Sequence, residues 1–197
     1  PYKHFGMQIC CFEENEVKTS DAFHRFRFQL PHVWTMGINM DDLDKAADHI
    51  QTQWTEMGYQ VEEQHIPKEY VHKMLANKKI NPTDHNIEIT DATYKNVLTH
   101  YGPKNAKNRI VIGAYYDTYT PTNNPNNVHY PGAGANAIGV SALLELSREL
   151  MRLAPDLKDT RIDLVAYTLK EPGIRLGSQV HALSLAKAGI KPQGVLS

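Results

Sequence analysis

Apolar residues recur along the chain with two periods, and these divide it into helices and strands. In MDDLDKAADHIQTQWTEMG, Leu43, Ala46, Ala47, Ile50, Trp54 and Met57 fall at helical spacing, which predicts a helix with one buried face. Asp41 and Asp42 suit its N-terminus and Gly58 its C-terminal cap. YQVEEQHI has strand character, and the polar stretch with KKINPTDHN reads as a loop or a helix end plus loop. NIEI and TYKNVLTHYG predict two further strands, paired as a hairpin around TDA. RIVIGAYYD, from Arg109 to Asp117, is a short apolar run of the kind a buried strand carries.

A long Pro/Asn-rich loop, TYTPTNNPNNVHYPGAGAN, follows. The next helix runs through AIGVSALLELSRELMRL, with Val140, Leu143, Leu144, Leu150 and Met151 on a shared face. TRIDLVAYTL predicts a strand, GSQVHALSLAKAG a helix with Gly189 as its C-cap, and QGVLS the start of another strand. Strand, helix, strand, helix, strand at these lengths implies an α/β fold, a three-layer sandwich whose mostly parallel mixed sheet is flanked by helices. Sites in such sheets form at the carboxyl ends of strands. That gathers Asp117, the 118–136 loop and the segment Leu169–Gly173 at one rim. Residues 1–38 are irregular and rich in aromatics and histidine, and residues 39–197 read as a single domain.

The remaining composition narrows the function classes. A chain of 197 residues suits one domain with a substantial core. Its net charge of -1 gives no broad field for nucleic acid or an anionic membrane, and KKINP and PKNAKNR are short basic runs of solvated loop character. Cys10 and Cys11 are adjacent, so no disulfide framework is expected. No apolar run approaches the ~18 residues of a membrane span. The chain begins at Pro1 without a basic-plus-apolar signal region, which leaves two expectations open: a cytosolic protein, or one whose leader has been removed.

VIGAYYDT, then PGAGANAIGVSALLELSREL, then VAYTLKEPGIRLGSQVHA resemble the zinc-dependent aminopeptidase family that includes bacterial leucyl aminopeptidases, glutamate carboxypeptidases and glutaminyl cyclases. ATYKNVLTHYG is similar to that family's upstream strand, and the likeness covers roughly residues 40–197. The resemblance implies a zinc-exopeptidase-like fold, shortened at its C-terminal side, and it implies roles for positions. Tyr115 stands where the family has a histidine ligand, and Asp117 where an aspartate orients that histidine. Gly134 and Ala135 replace a pair of aspartates, the first of which bridges two zinc ions, while Asn136 is kept. Lys170 takes the position of the general base and Glu171 that of a ligand. Two further ligands of the family lie beyond the strand on which this chain ends. Many members are exported, which tilts the expectation toward a secreted or periplasmic protein.

These replacements bear directly on chemistry. Zinc needs about four imidazole, carboxylate or thiolate donors, and of the family's ligand positions in this chain only Glu171 keeps a ligand side chain. His129 is a candidate substitute on the 118–136 loop. A protonated Lys170 cannot accept a proton as a general base does. It can neutralise Glu171 instead, while Asp117 bonds loop amides and Tyr115 packs. His181, among apolar neighbours, reads as a packing or surface residue. GAGANAIG lacks the glycine spacing and the Lys-Ser/Thr of a phosphate cradle.

Three functions follow. The first is a pseudo-peptidase, a binding or scaffold module with no cofactor, whose C-terminal strand edge is covered by a second copy or a partner chain. The second is a zinc-dependent exopeptidase acting on peptide N-termini, its site rebuilt with unorthodox ligands or completed by another chain. The third is a truncated product without a selected function. Neither nucleic acid nor membrane is an expected partner.

Overall fold

A computed structural model describes residues 40–78, 89–117, 136–170 and 175–197. Among these described residues, four helices and five strands follow in chain order: α1 (Met40–Glu56), β1 (Glu62–His65), α2 (Lys68–Lys78), β2 (Lys95–Tyr101), β3 (Asn108–Tyr115), α3 (Ile138–Leu153), β4 (Thr160–Tyr167), α4 (Leu176–Lys187) and β5 (Gly194–Leu196). The strands form one open mixed sheet in the order β1-β2-β4-β3-β5. β3 pairs in parallel with β4 and β5, while β2 runs antiparallel to both β1 and β4. β1 therefore points the same way as β3, β4 and β5, and β2 alone is reversed.

The first strand of the expected hairpin around TDA, NIEI, lies outside the described residues except for Ile89, which is in no strand. Both edges of β2 are taken, Leu98 lying opposite Glu62 on one side and Val165 on the other.

One face of the sheet carries the main core. α1 buries Leu43, Ala46, Ala47, Ile50 and Trp54, and α3 buries Val140, Leu143 and Leu144, against Val97, Ala114, Leu164 and Ala166 of the strands. Trp54 joins the two helices: its indole N–H donates to Ser147 Oγ at 2.8 Å, and that hydroxyl donates to Leu143 O at 2.7 Å. α2 adds Val71, Met74 and Leu75 to the same cluster. Met151 departs from its expected burial. It is 38% exposed, and its methyl lies by Gly58 at the end of α1 rather than on the sheet.

The opposite face is covered by α4, where Leu185 packs on the cluster of Val111, Val165 and Tyr167. Two glycines end helices as expected. Gly58 adopts φ +93° after α1. After α4 the C-cap is Ala188, and Gly189 follows it at φ +69°. The amide of Ile190 then reaches back to Leu185 O at 2.9 Å, closing a helix-ending turn that favours glycine.

Candidate functional site at the carboxyl rim of the sheet

β3 and β4 run side by side and end together, Tyr115 opposite Tyr167. The parallel register continues one step further, because Tyr116 N donates to Tyr167 O at 2.9 Å. Asp117 is thereby brought beside the turn that leaves β4. Its carboxylate is 2% exposed and accepts the amide N–H of Lys170 at 3.1 and 3.0 Å, one distance to each oxygen. That charge is felt across the core: burial first, and then Asp117, push the Tyr94 phenol up to about 12.

Lys170 and Tyr115 also meet. The Lys170 Nζ stands 3.9 Å from the centroid of the Tyr115 ring. The ring face is electron-rich and holds the ammonium. Asn136 braces the same strand end from the far side of the 118–135 loop. Its amide donates to Tyr115 O at 3.2 Å, and its carbonyl accepts the Gly139 N–H at 3.2 Å, in the manner of a helix cap. A Cβ on Gly139 would lie 2.6 Å from Asn136 Oδ1, so the glycine makes room for this capping side chain.

Two described residues after β4 hold an uncommon backbone conformation. Leu169 and Arg175 adopt φ +54° and +56°, a region L-residues other than glycine seldom occupy. The turn is closed at its base by Leu176 N donating to Leu169 O at 2.9 Å. Beneath it lies Asn96 of β2, which is fully buried. Asn96 Nδ2 donates to Gln64 Oε1 and to Gly177 O, both at 2.9 Å, and its Oδ1 accepts Thr168 N–H at 3.1 Å. One side chain thus ties β1, the end of β4 and the start of α4. Gly177 allows the approach, because a Cβ there would lie 2.5 Å from Asn96 Oδ1. Sequence patterning missed Asn96. Its only signal is a polar residue on a strand, followed by Val97 and Leu98.

The rim therefore brings together Tyr115, Asp117, Asn136 and Lys170. Glu171, Gly134 and His129 lie outside the described residues, as do residues 1–38. His181 is buried and hydrogen-bonded to the Tyr167 hydroxyl through Nδ1 at 2.9 Å. Burial lowers its pKa, with Asp163 opposing and the Arg109 and Arg161 charges adding to the fall.

Residues 96–191 match the model of Peptidase family M28. That segment, just under half of the chain, is similar to the M28 peptidases. An uncharacterized protein of Escherichia coli (strain K12), YfbL, is 37% identical over 123 residues, which are 60% of this chain and 37% of that protein. Solved structures with the same fold include the LapA aminopeptidase of Legionella pneumophila, with TM-score 0.62 and 18% identity over 90% of this chain and 42% of that one. A glutaminyl cyclase of Bacteroides thetaiotaomicron, bound to N-acetylhistamine, has TM-score 0.61 and 21% identity over 89% of this chain and 58% of that one. A leucine aminopeptidase precursor from the same organism gives TM-score 0.61 and 21% identity over 89% and 59%. The chain thus spans between about a third and three fifths of the lengths of these proteins.

Zinc fits the described part of this rim poorly. Among the described residues, no three His, Cys, Asp or Glu side chains gather to hold a metal ion. The two described positions with a ligand or base role in the resembled family hold each other, ammonium on ring, and a fixed ammonium repels a second cation. Both Asp117 oxygens accept a backbone amide.

Proposed function

We propose that this chain works as a pseudo-peptidase, a binding or scaffold module built on an exopeptidase fold. The observation that carries this reading is the Lys170 ammonium over the Tyr115 ring. A general base must take a proton from water and a metal site must attract a cation. An ammonium held at the base position opposes both. With Gly134 and Ala135 in place of the family's aspartates, Glu171 serves to balance the charge of Lys170 instead of binding metal. As a module the chain needs a partner surface, and we assign it to β5, an outer strand among the described residues, whose Val195 and Leu196 are 63% and 64% exposed. A second copy or partner chain pairing there covers both side chains and strand edge.

The competing reading is a zinc-dependent exopeptidase in which Glu171, His129 and groups from another chain rebuild the site. The names of several structural neighbours, among them a Zn-dependent exopeptidase from Parabacteroides distasonis, keep it in view. Metal content separates the two. After dialysis against a slight excess of zinc and removal of free metal, mass spectrometry should find essentially none per chain, and a panel of free N-terminus peptides should remain uncut. Stoichiometric zinc with release of N-terminal residues would refute the pseudo-peptidase. Light scattering tests the partner surface, and a strict monomer at high concentration would count against self-pairing.

A further inference from the structure

A second polar cluster lies at the other end of the strands, independent of the rim. Arg109 and Arg161 are directly opposite each other in the β3–β4 ladder. Both side chains are largely covered, at 16% and 14% exposure, on the face that carries α4. One carboxylate serves the two. Arg109 Nη1 donates to Asp163 Oδ2 at 3.3 Å and Arg161 Nε to Asp163 Oδ1 at 2.5 Å. Arg161 Nη1 also donates to Lys104 O at 3.3 Å. Two guanidiniums carry about ten N–H donors, and these three contacts use three of them. Asp163 balances one of the two positive charges held on these largely covered side chains, and both guanidiniums line open space.

The cluster opens into a cavity of about 320 Å³. That size lies at the lower end of small-molecule sites. Leu98 and Leu185 give it an apolar lining beside the guanidiniums. Glu62 and Glu63 also belong to the lining, on β1 and so two strands away from β4; both are exposed, and Glu63 is paired with Lys95 at 2.9 Å, which leaves Glu62 as the further carboxylate. An anion of one charge, with a short carbon chain, matches this layout. A second acid group on the ligand meets Glu62.

We propose that this cavity binds a small monocarboxylate with an apolar body, its carboxylate on the Arg109–Arg161 pair and its carbon chain against Leu98 and Leu185. Guanidinium and carboxylate make charge-assisted, paired hydrogen bonds, as Asp163 already does. The cavity is well separated from the rim: Arg109 and Asp117 are eight positions apart along one extended segment, roughly 25 Å. Failure of the pseudo-peptidase reading therefore leaves this one standing.

The test is a titration of the ¹⁵N-labelled chain with butyrate, followed at the arginine Nε–Hε resonances. The expected result is a saturable shift of the Arg109 and Arg161 signals. Butyramide, equal in shape and uncharged, should give none, nor should sodium chloride at matched ionic strength. Succinate should bind more weakly than butyrate because of Glu62. Arg109→Gln should weaken butyrate binding by about tenfold or more; if that variant does not fold, the wild-type titration decides alone. No saturable shift at tens of millimolar butyrate, an equal shift with butyramide or chloride, or tighter binding of succinate would each overturn the proposal.

Discussion

Replacing Asn96 with alanine removes the side chain that ties three elements at the base of the rim. Two backbone groups lose their partners in a fully buried place: the Thr168 N–H and one hydrogen bond to the Gly177 carbonyl. Each buried polar group left unsatisfied costs about 1–3 kcal/mol. Gln64 Oε1 loses its donor too, but it is only part-buried and turns to water. The expected loss is therefore about 2–5 kcal/mol, a large share of the roughly 5–15 kcal/mol that holds a domain together. Urea unfolding followed by circular dichroism measures it. With an m-value of about 2 kcal/mol/M, the midpoint should fall by roughly 1–2.5 M while m stays unchanged. Asn96→Asp sharpens the test at pH 7. An ionised carboxylate still accepts from Thr168 but has no proton for the Gly177 carbonyl, so it should cost more than alanine. A midpoint shift of less than about 0.5 M for Asn96→Ala would refute the argument that this amide is the tie.

Three further outcomes are expected. Ser147→Ala strips the Trp54 indole of its acceptor in the core and should cost about 1–3 kcal/mol by urea unfolding; a neutral result would mean that water replaces the hydroxyl. A double-mutant cycle on Tyr115→Leu and Lys170→Met should return a coupling of about 0.5–1 kcal/mol for the ammonium on the ring, and zero coupling would remove the observation on which the pseudo-peptidase rests. His181 has a lowered pKa because it is buried. The unfolded imidazole takes up its proton near 6.5 and the folded one only at lower pH, so the unfolded state binds more protons in between. Stability should be full above that value and fall as the solution is acidified below it. His181→Gln should flatten the part of this slope that belongs to His181, whereas an unchanged slope would assign all of it to other groups such as His100, whose pKa burial also lowers.

The order of elements was legible from spacing alone, because helices and strands that bury one face must repeat apolar residues with their own period. Leu43, Ala46, Ala47, Ile50 and Trp54 declared α1, and all five are core residues. The runs from Arg109 and Thr160 declared the two strands that pair in parallel at the centre. The motifs around Tyr115, Asn136 and Lys170 carried the likeness to the zinc aminopeptidases, and the M28 match over residues 96–191 supports it. Pairing partners were not legible. Nothing local in NIEI distinguishes it from YQVEEQHI as a neighbour for β2, since register is settled by which faces must be covered across the whole sheet.

The contacts of the rim belong to the same class. That Lys170 turns its ammonium onto Tyr115 while its amide meets Asp117 depends on β3 and β4 ending side by side, 53 residues apart along the chain. Asn96 acquires its role from Gly177, 81 residues away. Arg109 and Arg161 come to share Asp163 only because the β3–β4 register sets them opposite each other. Residue type and period are properties of a segment and can be read one segment at a time. A buried hydrogen bond or a shared charge is a property of two segments, and only their packing decides it.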